Sequence, residues 1–462
     1  MALGRRGGKQ SGMWVVRKDL PRSPGHAFYE KLNGLLDAAE FDARCEELCR
    51  RYYAEEMGRP GIPPGLYFRM LLVGYFEGLG AQRAIAWKCA DSLSVRSFLG
   101  LALEDAVPDH STLTKVRQRL PEEVHQQVFA IVLEIARERG MLKGKTIAVD
   151  ATTLEANAAM RSMVNRATGD DWKRYLRRLA KEAGIEDPSD EELRRFDKKR
   201  KNKRVSNQDW KSGSDPDSRI IKMKDGRTHF AYKAEHAVDL ESNLLVTAQI
   251  YAADQADVDT IGETVRSANE QLAAAGSEQT VHEVVGDKGY HKAQTLVDLE
   301  EEHGVRPYIP DNAPEQRRVW TDKPQGFQRA VYQNRRRCRG KRGRLLGRKR
   351  SEYAERSFAH TCETGGGRRT WLRGQVNVAK RYWVQGAGHN LSLLMRAIYG
   401  VGTPRGLQGT YLLLTALFAW LHRQLRSFNG LRRLHLRFSS VVRSPAPIVR
   451  HGFKKPTSST GC

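Results

Sequence analysis

At 462 residues the chain is long enough for two or three domains. Its 40% hydrophobic content and mean hydropathy of −0.60 describe a globular protein with very polar stretches. The 78 Lys+Arg against 54 Asp+Glu give a formal charge of +24 and a pI near 9.9, which favours a polyanionic partner because each neutralised phosphate releases counterions. Nucleic acid fits first. An anionic membrane would need an apolar span or amphipathic anchor, and the most hydrophobic run, "TYLLLTALFAWLHRQL" at 410–425, is well short of a span in its uncharged part. The six cysteines, Cys45, Cys49, Cys89, Cys338, Cys362 and Cys462, form no paired CxxC sets, and with a basic N-terminus that lacks an apolar signal core they suit a reducing cytoplasm.

After a basic tail over 1–20, residues 21–140 read as a helical, DNA-binding domain. "RPGIPPG" (59–65) is a break, and "LYFRMLLVGYFEGL" is apolar at i, i+3, i+4. After Pro108, Asp109 or Ser111 can cap a basic helix carrying Lys115, Arg117 and Arg119, a helix-turn-helix-like part or equally a solvated face. The character changes at "KTIAVDATT" (145–153), where residues 146–149 form a short buried strand leading to Asp150. A charged insertion over about 160–225, basic and low in apolar residues, reads as either a solvated linker or an extended DNA-contacting arm. Residues 228–239 and 244–254 alternate as an antiparallel hairpin, and 258–276 form an amphipathic helix closed by Gly276. A strand ending in "VVGD" follows, then a helix over 291–303 and a strand over 305–310. This order predicts an α/β fold, a mixed sheet flanked by helices, over 141–400. A C-terminal helix and basic tail occupy 401–462.

Two buried strands each deliver an acid, Asp150 and Asp287, 137 residues apart. If the strands are neighbours, the carboxylates emerge at one edge, where like charges raise a pKa or recruit a cation. Hard oxygen donors suit Mg²⁺ or Mn²⁺. A third acid for a two-metal clamp should follow the sheet on a helix, and Glu352, Glu355 and Glu363 qualify. Ten of the sixteen residues over 335–350 are Arg or Lys, a block suited to phosphate contact. Asp239, Asp254, Asp257 and Asp259 suit turns and caps. The histidines show no ligand spacing, and "ETGGGRR" (363–369) reads as a turn rather than a phosphate loop.

"VDATTLEANA" (149–158), "DPDSRIIKMKDGRTHFAYKAEHAVD" (215–239), "VVGDKGY" (284–290) and the long stretch over 335–396, in this order and spacing, resemble the DDE transposases of bacterial insertion sequences. The resemblance is to the group with an N-terminal helical transposase domain and a ribonuclease H-like catalytic domain, and it covers about 25–400. It implies metal-dependent DNA cleavage and strand transfer at insertion-sequence ends, with catalytic, metal-holding Asp150, Asp287 and Glu355. It also implies two Mg²⁺ or Mn²⁺ ions, and a homodimer or higher assembly on paired DNA ends in the cytoplasm, at the nucleoid. Relatives carry Tyr, Arg and Lys around the Glu at offsets that fall here on Arg348, Ser351 and Cys362, so the choice of Glu355 rests on its local "AERSFAH" context. Expected DNA contacts are Arg335, Arg336, Arg337, Arg339, Lys341, Arg342, Arg348, Lys349, Arg350 and Arg356, with Lys288 and Tyr290 beside Asp287. A nuclease on the same fold, which cuts without joining, and an inactive DNA-binding descendant are the alternatives.

Overall fold

The structure, a computed structural model, describes residues 20, 22–54, 58, 61–200, 206–223, 226–312 and 318–406. The expected N-terminal tail, the apolar run at 410–425 and the basic C-terminal tail lie outside these residues, apart from Leu20. Among the described residues no helix is long and apolar enough to cross a membrane.

The N-terminal region is helical: α1 (Pro24–Asp37), α2 (Phe41–Cys49), α3 (Pro64–Glu77), α4 (Gln82–Asp91), α5 (Leu93–Phe98), α6 (His110–Arg119) and α7 (Glu122–Glu138). Prolines open α1 and α3, where the missing N–H costs no helical bond. Asp109 caps α6 by accepting from the Thr112 amide at 2.8 Å. Cys45 and Cys49 are buried on α2, and burial raises both thiols above their ordinary range, as expected for core residues rather than ligands.

Strand β1 (Thr146–Glu155) continues five residues past Asp150, because residues 147–155 pair antiparallel with β5 along its length. The insertion that follows is folded. It holds β2 (Met163–Asn165), α8 (Trp172–Glu182), α9 (Asp190–Lys199), β3 (Trp210–Ser212) and β4 (Arg219–Lys222). Strands β2 and β3 form a two-stranded sheet, and Leu176, Ala180 and Leu193 make a small core with Trp172, Tyr175 and Phe196 against it. Neither a linker nor an extended arm describes this module; six apolar and aromatic side chains suffice to close a helical hairpin. Its stretch over 201–205 lies outside the described residues.

The main sheet adds β5 (Thr228–Asp239), β6 (Leu245–Ala252), β7 (Glu283–Val285) and β8 (Arg306–Tyr308), with α10 (Asp257–Ala274) between β6 and β7 and α11 (Ala293–Glu301) between β7 and β8. The order is β4-β5-β1-β7-β8, with β6 also on β5. The hairpin turns at Asn243, held at φ 66°. Pairs β1–β7 and β7–β8 are parallel and the rest antiparallel, giving the mixed sheet. Then come α12 (Phe327–Arg339), α13 (Lys341–Phe358), a π-helical turn (Ala359–Thr364) and α14 (Gln375–Tyr399).

Alternation along β5 sorts its side chains between two faces. Tyr232 and Ala234 join Leu154, Phe358 and Tyr382 in a core under α13 and α14. Lys233 and Glu235 point to the other face, beneath α10. Helix α14 is buried from 378 to 395 and packs against α3, α7 and β6 together. Its buried polar side chains find backbone partners, Lys380 on Arg117, Arg381 on Leu71 and Leu79, and Asn390 on Leu245, and Gly388 permits the approach, since a Cβ there would stand 2.6 Å from Tyr75. The described residues, which end at Gly406, form one compact unit.

Candidate active site

The parallel register of β1 and β7 pairs Ala148 with Val285. Two residues further along each strand, Asp150 stands level with Asp287. Asp150 lies within β1 and shares a sheet face with its cross-strand partner His236. Asp287 leaves β7 and caps a single 3₁₀ turn, accepting from the Gly289 amide at 2.7 Å.

One guanidinium reaches both acids. Arg350 Nη2 lies 2.9 Å from Asp150 Oδ2 and 3.9 Å from Asp287 Oδ2. Arg350 is 16% exposed, and its buried Nε has no hydrogen-bond partner. Burial raises the Asp150 carboxyl above its ordinary value; Arg350 opposes that rise and the Asp287 charge adds to it. The two aspartates therefore feel one another.

Helix α13 carries Arg350 over β1, and the next turns anchor it. His236 Nδ1 lies 2.8 Å from Ser357 Oγ, its Nε2 lies 2.7 Å from the Tyr382 hydroxyl, and its ring stacks on Phe358 at 4.0 Å. Burial drives the His236 imidazole well below its usual pKa, keeping it neutral between these hydroxyls. Glu355 sits between Arg350 and this anchor but is exposed. It is five residues on from Arg350, roughly 140° round the helix, and no His, Cys, Asp or Glu trio among the described residues stands in metal-holding geometry. The structure thus joins Asp150 to Asp287 and places Glu355 on the neighbouring helix, outside their contact. Glu352 pairs with Arg356 at 2.5 Å and Glu363 with Arg368 at 2.8 Å.

Beneath the sheet a second set of charges backs Asp287. Lys233 Nζ lies 2.7 Å from Asp257 and 3.3 Å from Glu235. Glu235 also accepts from Thr264 at 2.5 Å, Thr260 at 2.7 Å and Tyr290 at 3.0 Å. A Cβ at Gly289 would meet Asp257 Oδ2 and Asp287 Oδ1, each at 2.9 Å, so this turn accepts only glycine without a shift of both carboxylates. Asp257 is therefore more than a cap. The signal for this network was a Lys and a Glu two apart on one face of a buried strand.

Several expected DNA contacts have other partners. Tyr290 is fully buried with its hydroxyl on Glu235, so it cannot face DNA. Arg335 holds the buried Asp311 at 2.6 Å, Arg337 holds Glu300 at 2.6 Å, and Arg342 pairs with Glu283. Lys349 donates to the Leu240 carbonyl, Arg350 takes Asp150, and Arg356 takes Glu352. Arg336, Arg339, Lys341 and Arg348 remain exposed, as is Lys288. In "ETGGGRR", Gly366 stands where a Cβ would lie 2.8 Å from the Gly78 carbonyl, and Arg368 donates to Thr152. This turn packs the sheet edge against the end of α3.

A mixed sheet flanked by helices, with one aspartate on β1 and another just past the end of the adjacent parallel β7, is an architecture of the ribonuclease H-like kind. A transposase domain family (DUF772) matches residues 17–119 and a transposase DDE domain family matches residues 142–387. The chain belongs to the DDE transposases. Membership implies DNA transposition with a divalent metal. No curated protein matches the chain.

Proposed function

We propose that Asp150, Asp287 and Glu355 are the catalytic carboxylates and hold two Mg²⁺ or Mn²⁺ ions. The observation carrying this is the β1–β7 register, which sets two acids side by side with a single cation between them. The donor set fits: carboxylate oxygens, one of them on a partly buried group with a raised pKa, suit a hard divalent ion. Such ions, when bound, activate the attacking oxygen and stabilise the leaving one. The chain's own residues do the rest. The sheet fixes Asp150 and Asp287, the Gly289 amide orients the Asp287 carboxylate, and the His236–Ser357–Tyr382 contacts fix the helix bearing Glu355. Arg336, Arg339, Lys341 and Arg348 contact DNA phosphates, the helical region over 21–140 binds the element ends, and a dimer or larger assembly brings two ends together.

The test is cleavage and joining of DNA bearing the element's ends, with Mg²⁺. Asp150→Asn, Asp287→Asn and Glu355→Gln should each reduce both steps by roughly 10³-fold or more, while Glu352→Gln and Glu363→Gln retain them. Full activity in Asp150→Asn would end the assignment; loss in Glu352→Gln instead of Glu355→Gln would move the third carboxylate.

A further inference from the structure

Arg350 is the single cation within ion-pair distance of Asp150 or Asp287 among the described residues. Its side chain is mostly buried, which is costly for an arginine unless its charge is needed there. Its Nη2 stands 2.9 Å from Asp150 Oδ2 and 3.9 Å from Asp287 Oδ2, and its Nε is left without a partner in the protein. Two carboxylates that sense one another in a partly desolvated setting require a counter-charge, and this guanidinium supplies it. A divalent ion bound to the same oxygens would stand beside that guanidinium, and two cations at such range repel strongly. The two therefore exclude one another.

Resting on the reading of Asp150 and Asp287 as metal ligands, we propose that Arg350 is the resident counter-cation of the metal-free site. It holds the place a divalent ion takes, and loading the ion requires Arg350 to release Asp150. Released, the guanidinium matches phosphate as well as carboxylate, since both accept its planar fork, so a DNA backbone is the natural next partner. The arrangement weakens metal binding in the free protein and protects the bare acid pair from its own repulsion.

Mn²⁺ binding to the full chain without DNA, followed by electron paramagnetic resonance, tests this apart from activity. Arg350→Gln should bind Mn²⁺ roughly tenfold more tightly than the unaltered protein, and Arg350→Lys, which keeps the charge, should fall between them. The Arg350→Gln protein should also melt lower without metal and regain more on adding Mn²⁺. Unchanged or weaker Mn²⁺ binding in Arg350→Gln overturns the proposal, as does an unfolded Arg350→Gln that Mn²⁺ during refolding fails to rescue. Asp150→Asn separates the two claims. If it leaves Mn²⁺ binding intact, the ligand assignment itself is wrong; if it lowers binding while Arg350→Gln does not raise it, only the role of Arg350 falls.

Discussion

Lys233 is 5% exposed and Glu235 fully buried, so each depends on the other and on Asp257. Removing one partner of such a set leaves a charge with no answer, which costs several kcal/mol. Lys233→Met should lower unfolding stability at neutral pH by about 3 kcal/mol. The loss should shrink as pH falls, because burial already raises the Glu235 carboxyl and its neutral form needs no lysine. Urea unfolding at two pH values checks both; a loss under about 1 kcal/mol would show the network to be solvated. Residues of this kind were the least legible in the sequence. The arginines over 335–350 read as one phosphate surface, yet their acids, Asp311, Glu300 and Glu283, lie tens of positions away and only folding reveals them. Tyr290 misled for the same reason, since a single 3₁₀ turn after Asp287 carries it from the rim to the interior.

Elements were read more surely than partners. The hairpin, α10, β7 and α11 follow from periodicity and from turn residues such as Asn243 and Gly276, both at positive φ. Strand β1 outran its expected end because pairing with β5 over 150–155 outweighs the interruption by an acid. Composition hides the fold of the insertion: its core is six aromatic and aliphatic groups spread over residues 172–196. Helices α12 and α13 allow a division of labour to be measured. Alanine at Arg336, Arg339, Lys341 or Arg348 should each lower the slope of log DNA affinity against log salt by about one, whereas Arg335→Ala, which strips Asp311 of a partner, should lower melting temperature instead. Slopes in these variants equal to that of the unaltered protein would remove this face from the DNA contact. On α14, Gly388→Ala sets a methyl against the Tyr75 ring and should cost about 1–3 kcal/mol, read from urea unfolding; no loss would mean the helix can shift aside.

At the scale of the molecule, three fully buried imidazoles among the described residues, His125, His236 and His389, are locked in the neutral form by burial. His125 falls to about 4, His389 to about 3, and His236 well below its usual value. The unfolded chain protonates these groups near 6.5. Their contribution is therefore complete above that pH and declines as pH drops below it toward their folded values. Each should account for up to about 1.4 kcal/mol per pH unit. His125→Gln should reduce the fall in unfolding free energy between pH 6.5 and 5 by about one proton's share, and an unchanged slope would exclude His125 from this acid sensitivity.

Helix α14 touches the sheet and the N-terminal helices along the same length: Gln375 and Asn390 bond to β6, while Lys380 and Arg381 between them bond to the carbonyls of Arg117, Leu71 and Leu79. A rod clasped on both sides leaves no swivel. If the N-terminal helices grip an element end, as proposed, the part that grips and the part that cuts cannot take turns like tools on a tether; they turn as one piece, and any reorientation comes from moving the whole molecule or bending the DNA.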